Sequence, residues 1–364
     1  MKYILTLIFL FTITVTTQAA SHALYISLGG ENKIACYTIG KKNGKLTHFE
    51  DIKTDGSPGA MCYPSSSGLL FVALRKSKSV ATFRVDHETG KLKWVATKKV
   101  GVNPVYLSTD NKLKYLFLAS YSEGKIAKFP LNNKGELLDK GSQWFDTERT
   151  AHSIQLSPDN KYLFVPHTKP NVIYQFQFNK KTGKLTRNKK RKISAPQGAG
   201  PRHYKFSEDG DFVYTADELG SSASVYRLDK KTGELSHLQT LSTLPKNFKG
   251  KNTCAEVRVL SFLESRFLYV SNRGHDSIAV FSINQKTGKL TSLGQTPTER
   301  KPRSFNLLWF SNEHSESFLY AAGQSSGKLA TYLIHLKTGK LKYLRTQKVG
   351  KSPSWVEVIS LGEY

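Results

Sequence analysis

Apolar residues in this chain come in short bursts rather than long stripes. Seven of these stand out: "LYIS" at 24, "LFVA" at 70, "LFLA" at 116, "LFVP" at 163, "VYTA" at 213, "LYVS" at 268 and "LYAA" at 319. Each is rich in aromatic or branched residues and bounded by clusters of Gly, Asn and Ser, the signature of a short strand between turns. A second, alternating run follows each burst, as in "SVYRL" (224–228) and "SIAVFSI" (277–283). No segment keeps the 3.6-residue period of an amphipathic helix.

The bursts are paced by a repeated turn. It reads "KNGKL", "ETGKL", "NKGEL", "KTGKL", "KTGEL", "KTGKL" and "KTGKL", with glycines at Gly44, Gly90, Gly135, Gly183, Gly233, Gly288 and Gly339. The mean spacing, about 49 residues, is enough for four strands and matches one blade of a β-propeller. The fold expected is therefore all-β: a seven-bladed β-propeller of four-stranded antiparallel blades. Residues 20–364 are taken up by the seven units, which leaves a single domain.

Most units open on a proline: "SPGAMCY", "NPVYLS", "GPRHYKF", "KPRSFNLLWF" and "SPSWVEVIS". The last of these has no strands after it, and the first "LYIS" unit has no such strand before it. The C-terminal strand is therefore expected to join the N-terminal blade as its innermost strand and so close the ring.

The chain begins with Lys2 and an apolar run to about Val15, then Thr17-Gln18-Ala19. This pattern reads as a secretory signal peptide over residues 1–19, so the location expected is outside the cytoplasm, in a bacterial periplasm or secreted. No later segment is apolar for long enough to span a membrane as a helix. Cys36, Cys62 and Cys254 allow at most one bridge and are expected as small buried residues, with a Cys36–Cys62 pairing left open. The balance of 54 Lys and Arg against 28 Asp and Glu gives a net charge of +26. Much of it sits in the "KTGKL" turns and in "NKKRK" (188–192), read as solvated loops. With no helix-turn-helix, zinc-finger spacing or basic aromatic helix, nucleic acid is not the expected partner.

Repeats make their own exceptions visible. Blade-opening segments of the fourth to seventh units carry His152 ("AHSIQLS"), Arg202 and His203 ("GPRHYKF"), Glu256 ("CAEVRVLS") and Arg303 ("KPRSFNL"). Turns after the second strand add Glu218 ("DELGSS"), Arg273 ("SNRGHDSI") and Gln324 ("AAGQSSG"), while the first three units offer only Arg75 and Glu123. Taken singly, each has a plain structural explanation, such as a turn cap for Glu218 or an Arg273–Asp276 ion pair. At equivalent positions around a ring they are expected to face one channel mouth. Such a set suits binding an anion and moving protons, without a metal or other cofactor. "GQSSG" fits the nucleophile-elbow pattern at Ser325, but a strand rather than a helix is expected after it. Cys254 has no neighbour in sequence that would activate it.

Over "AHSIQLSPDNKYLFVP", "GAGPRHYKFSEDGDFVYTADELGSS", "FLYVSNRGHDSIAVFSI", "TPTERKPRSFNL" and "AAGQ", the chain resembles the seven-bladed lactonase family. That family is typified by propeller-type 6-phosphogluconolactonase and carboxymuconate lactonising enzyme. The resemblance implies lactone opening with catalytic roles for His152, Arg202, Glu218 and Arg273: His152 or Glu218 as general base, Arg202 and Arg273 for the oxyanion. It implies pocket positions for His203, which could act as the acid, and for Glu256, Arg303 and Gln324. It also implies a small anionic lactone as substrate, with the protein acting as a monomer. Export departs from a cytoplasmic sugar-phosphate enzyme and favours an unphosphorylated or differently acidic lactone. The second expectation is a non-catalytic exported propeller that binds a partner protein or an acidic polymer.

Overall fold

The computed structural model describes residues 21–64, 67–308 and 316–361, and every regular element in them is a strand. The signal-peptide segment, 1–19, lies outside the described residues. In chain order the strands are β1 (His22–Leu28), β2 (Lys33–Ile39), β3 (Leu46–Lys53), β4 (Pro58–Cys62), β5 (Leu69–Leu74), β6 (Ser79–Val85) and β7 (Leu92–Lys99). Next come β8 (Pro104–Thr109), β9 (Tyr115–Ser120), β10 (Lys125–Pro130), β11 (Gln143–Asp146), β12 (Gln155–Leu156), β13 (Tyr162–His167), β14 (Val172–Asn179) and β15 (Lys184–Ser194). The rest are β16 (Pro201–Phe206), β17 (Phe212–Asp217), β18 (Ser222–Leu228), β19 (Leu235–Ser242), β20 (Thr253–Phe262), β21 (Ser265–Arg273) and β22 (Ser277–Ile283), followed by β23 (Leu290–Pro297), β24 (Pro302–Leu308), β25 (Ser317–Gly323), β26 (Lys328–Ile334), β27 (Leu341–Lys348) and β28 (Pro353–Ser360).

These strands form seven four-stranded antiparallel sheets. Six run in chain order from the inside out: β4–β7, β8–β11, β12–β15, β16–β19, β20–β23 and β24–β27. The first blade has the order β28-β1-β2-β3, so the C-terminal strand does close the ring from within. Innermost strands pack around the axis, β24 on β28, β28 on β4 and β4 on β8. Five of these strands, β4, β8, β16, β24 and β28, begin on the proline seen in the sequence. Second strands such as β5 and β17 are buried along their whole length, which explains their unbroken apolar bursts.

Outer strands meet solvent. The basic "NKKRK" segment proves to be part of outer strand β15 rather than a loop, with Lys189 to Lys192 exposed. Charges there suit an exposed sheet edge, because lysine discourages pairing with another chain. In the third blade the outer strand is delayed: after the Gly135 turn, Leu137 only bridges Leu131, and β11 starts at Gln143.

The repeated turn links the third strand of a blade to the fourth and is also the joint between blades. Gly233 adopts a φ of +74° and presses on Tyr162 of the preceding blade, where a Cβ would meet the ring at 2.1 Å. The Tyr162 hydroxyl donates to the carbonyls of Lys230 and Lys231, both at 3.1 Å. Across the closure, Gly44 lies on Phe318 in the same way, and Tyr320 donates to the Gly44 carbonyl at 3.2 Å.

Two stability tests follow from this geometry. Gly101 has a similar φ of +76°, but a Cβ there would meet nothing within 4 Å. Gly101→Ala should therefore lose only the left-handed strain, about 1–2 kcal/mol, whereas Gly233→Ala adds overpacking of about 1–3 kcal/mol. Equal losses in urea unfolding would refute the joint. Deleting residues 352–364 should abolish the cooperative thermal transition, and a truncated protein that melts cooperatively would count against closure through β28.

Candidate active site

A local device aims the side chains at the channel. Where innermost strands pair with second strands, the register slips just after the proline: between Pro201 and His203, between Pro302 and Ser304, and between Pro104 and Tyr106. Each slip inserts one extra residue, which is Arg202, Arg303 or Val105. Such a bulge bends a strand and re-aims its side chains, and is common beside active sites. In the fifth blade the inserted residue and its neighbour are Arg202 and His203, each only 2% exposed.

Arg202 and Arg273 share one carboxylate, Glu218. Arg273 Nη2 donates to Glu218 Oε1 at 2.6 Å and to the Cys254 carbonyl at 2.9 Å. Arg202 Nη1 donates to the Ala255 carbonyl at 2.6 Å, and its Nε forms an ion pair with Glu218 Oε2 at 3.6 Å. Glu218 is thus an arginine clamp rather than a turn cap. Asp276 does not pair with Arg273; it accepts from the backbone N–H groups of Gly274 and Lys301. Burial alone would raise the Glu218 carboxyl, but Arg202 and Arg273 outweigh it and hold the group below its ordinary value. Its charge is spent on holding the two arginines.

Positive charge exceeds negative here. Among the described residues Arg303 makes no hydrogen bond or ion pair. Burial first, then the charges of Arg273 and Arg75, bring it down to about 10. Arg75, on the turn after β5, spends its Nε on the Asn103 amide oxygen at 3.2 Å and has no carboxylate partner. Arg202, Arg273 and Arg303 therefore stand around one clamped carboxylate, with Arg75 near enough to act on Arg303, an arrangement that favours an anionic ligand.

A second network lies beside the first. His203 Nδ1 faces Glu256 Oε2 at 3.3 Å, and Glu256 Oε1 accepts from Arg258 Nη1 at 2.7 Å and from the Val257 N–H at 3.1 Å. Burial opposes the charge on Glu256, yet Arg258 and then His203 bring it to about 2. His203 makes edge contacts with Tyr106, His152 and Trp355, at ring separations of 5.0, 5.1 and 5.9 Å. His152 sits between the Ala151–His167 bridge and β12, with its backbone N–H on the Pro166 carbonyl at 3.0 Å. Burial, followed by Arg202, keeps both imidazoles neutral, His203 down to about 3 and His152 well below its ordinary value.

Of the eight residues singled out from sequence, six belong to these neighbouring networks and Arg303 stands close beside them. Gln324 is apart: it lines a groove between the seventh and first blades with Lys301, Lys348 and Lys351. Two further arginines take part, of which only Arg258 had not stood out in the sequence. Arg258 lies two residues beyond Glu256, hence on the same strand face, and Arg75 had no role assigned. Cys36 and Cys254 are free and buried; Cys62 is free and half-buried, so no disulfide forms. Burial pushes the Cys254 thiol up to about 12, which makes it a poor nucleophile. Ser325 is followed by strand β26, not by the helix an elbow requires. Among the described residues no three or more His, Cys, Asp or Glu side chains are grouped to hold a metal ion, and no helix is long and apolar enough to cross a membrane.

Five buried polar atoms in these networks have no hydrogen-bond partner among the described residues: Arg202 Nε, Glu218 Oε2, Arg273 Nε, His152 Nδ1 and His203 Nε2. Buried polar groups are normally satisfied, so this concentration of unmatched atoms marks a place for a polar ligand. Fold and site together define a seven-bladed propeller with an arginine-rich cluster gathered at its innermost strands.

The known proteins it resembles sharpen that class. Residues 14–101 and 95–358 match the family described as "Lactonase, 7-bladed beta-propeller". The 6-phosphogluconolactonase of Pectobacterium carotovorum is 31% identical over 338 residues, covering 93% of this chain and 98% of that protein. The Klebsiella pneumoniae 6-phosphogluconolactonase is 31% identical over 318 residues, covering 87% and 92%. Among solved structures, the periplasmic gluconolactonase PpgL of Pseudomonas aeruginosa superposes with a TM-score of 0.83 at 24% identity, over 94% of this chain and 99% of that one. The chain belongs to the seven-bladed β-propeller lactonase family.

The buried histidines make acid stability a test of this geometry. Their folded values lie below the ordinary 6.5, so between pH 6.5 and about 3 the unfolded chain binds protons that folded His203 refuses. Stability is therefore lost as pH falls through that window. The melting temperature of the wild type should drop between pH 6.5 and 4, and that of His203→Gln should drop less steeply. Identical slopes would show that His203 is not held neutral.

Proposed function

We propose that the protein is a hydrolase that opens a small lactone carrying an acidic group, using His152, Arg202, Glu218 and Arg273 at the channel mouth. The observation that carries this reading is the pair of guanidinium groups held on one half-buried carboxylate, with Arg303 beside them and unpaired among the described residues. Water adds to the acyl carbon, the carbonyl oxygen takes negative charge, and the ring C–O bond then breaks to leave a hydroxy acid. Arg202 and Arg273 stabilise the oxyanion, each such donor being worth about 3 kcal/mol in a dry pocket. Glu218 keeps the two cations oriented, and without it they would repel across a buried space. The base is drawn from the two neutral imidazoles, His152 and His203. Arg303, with Arg75, takes the acidic substituent by charge-assisted hydrogen bonds.

The family's named 6-phosphogluconolactonases support a sugar-acid lactone, and the excess of arginine supports an anionic one. Residues 1–19 are read as an export signal and the rest as one propeller domain that acts as a monomer. On that reading the enzyme works outside the cytoplasm, where an unphosphorylated acidic lactone is the favoured substrate.

Acid release measured by pH-stat on 6-phosphogluconolactone, gluconolactone and a muconolactone-type substrate tests this directly. At least one lactone should react above its uncatalysed rate, and Arg202→Ala should lower kcat by about 10²–10³. Background rates on all three would remove the lactonase reading and leave a binding role to the propeller.

A further inference from the structure

The two neutral imidazoles of the mouth are not equivalent. Glu256 is fully buried and accepts from Arg258 and from the Val257 N–H, so it stays a carboxylate, able only to accept hydrogen bonds. The ring nitrogen facing it, His203 Nδ1 at 3.3 Å, must therefore carry the hydrogen. A neutral imidazole with hydrogen on Nδ1 has its lone pair on Nε2. That atom is buried and has no hydrogen-bond partner among the described residues.

His152 has no such constraint. Its Nδ1 is unpartnered, and no carboxylate selects its tautomer. Glu218, the other acceptor in the mouth, has its oxygens engaged with Arg273 and Arg202. Among the described residues of the mouth, His203 is thus the one imidazole with a carboxylate-imposed tautomer and a free lone pair.

We propose that His203 Nε2 takes the proton of the hydrolytic water, and that Glu256, held by Arg258 and through it by Asn306, is the positioning residue that fixes this tautomer. The inference rests on the lactonase reading and deepens it. As the water oxygen bonds to the acyl carbon, its proton passes to Nε2, and Glu256 stabilises the resulting imidazolium across the Nδ1 hydrogen bond. When the ring C–O bond breaks, Nε2–H returns the proton to the leaving alkoxide. One water is consumed, one hydroxy acid is formed, and the enzyme ends as it began. The arrangement follows the logic of a carboxylate-oriented histidine, where a wrong tautomer costs about 10⁴ in kcat in the serine-protease case. The Arg258 Nε bond to the Asn306 amide oxygen, at 3.3 Å, extends the support to the seventh blade.

The test combines ¹⁵N-histidine NMR of the full folded protein with steady-state kinetics. In the wild type near neutral pH, His203 should show hydrogen on Nδ1 and a bare Nε2. Glu256→Gln places an amide donor against Nδ1 and should shift His203 toward the Nε2–H form, with kcat down by about 10²–10⁴ and KM changed less than about threefold. Glu256→Asp, which keeps the acceptor, should restore the Nδ1–H signature and part of kcat, which separates tautomer control from loss of packing. A wild type that turns over lactone with His203 in the Nε2–H form overturns the proposal, as does a folded Glu256→Gln that keeps kcat. No lactone turnover by the wild type overturns the lactonase reading itself, a result the NMR readout cannot mimic.

Discussion

The contact on which the rest of this molecule depends is the joint between a glycine turn and the next blade. A four-stranded sheet of this length cannot bury both faces alone. It does so by laying its turn on the second strand of its neighbour, as Gly233 lies on Tyr162 and Gly44 on Phe318. A side chain at the glycine would hold the blades apart, and the seven blades must close on each other without slack. Closure then brings the innermost strands together at the axis, and β28 seals the ring against β1. The position of every group in the channel mouth is set by that distant surface contact.

Within the mouth the governing cost is desolvation. Removing a guanidinium from water is unfavourable by several kcal/mol, and a buried pair survives only when its hydrogen bonds are well made. Arg273 meets that requirement through the Cys254 carbonyl and Glu218, whereas Arg202 bonds the Ala255 carbonyl and reaches Glu218 only as an ion pair at 3.6 Å. One innermost strand, β20, supplies both carbonyls, to Arg202 across the joint between blades and to Arg273 within its own blade. The surplus positive charge is held rigidly before any substrate arrives, and little reorganisation is required when negative charge develops.

Much of the site could be read from the repeats, for a specific reason. Structural positions recur in every blade, so Arg202, Glu218, Arg273 and Arg303 appear as breaks in a sevenfold pattern. The same logic is blind where the pattern itself does not change. The bulge at Arg202, Arg303 and Val105 recurs between blades and leaves no mark except the proline before it. Arg258 escapes notice, and Arg75 is noticed without a role, because a lone arginine in a basic chain carries no signal until its partners are known. Gln324 shows the converse: a motif position equivalent in sequence whose side of the blade faces a different groove.

Chain-local chemistry is enough to decide the strands, the seven units, the closing role of the C-terminal segment and the end of the ring where reactive side chains gather. Alternation, turn glycines at positive φ and prolines that start strands carry all of these. They do not decide which carboxylate clamps the arginines and which orients a histidine. Glu218 and Glu256 are both acids near the axis, and only the packed ring places one between Arg202 and Arg273 and the other between His203 and Arg258. Arg273 is 55 residues from Glu218, and His203 is 53 from Glu256. The difference between a clamped carboxylate and an orienting one lies in such distant partners, which a one-dimensional pattern does not encode.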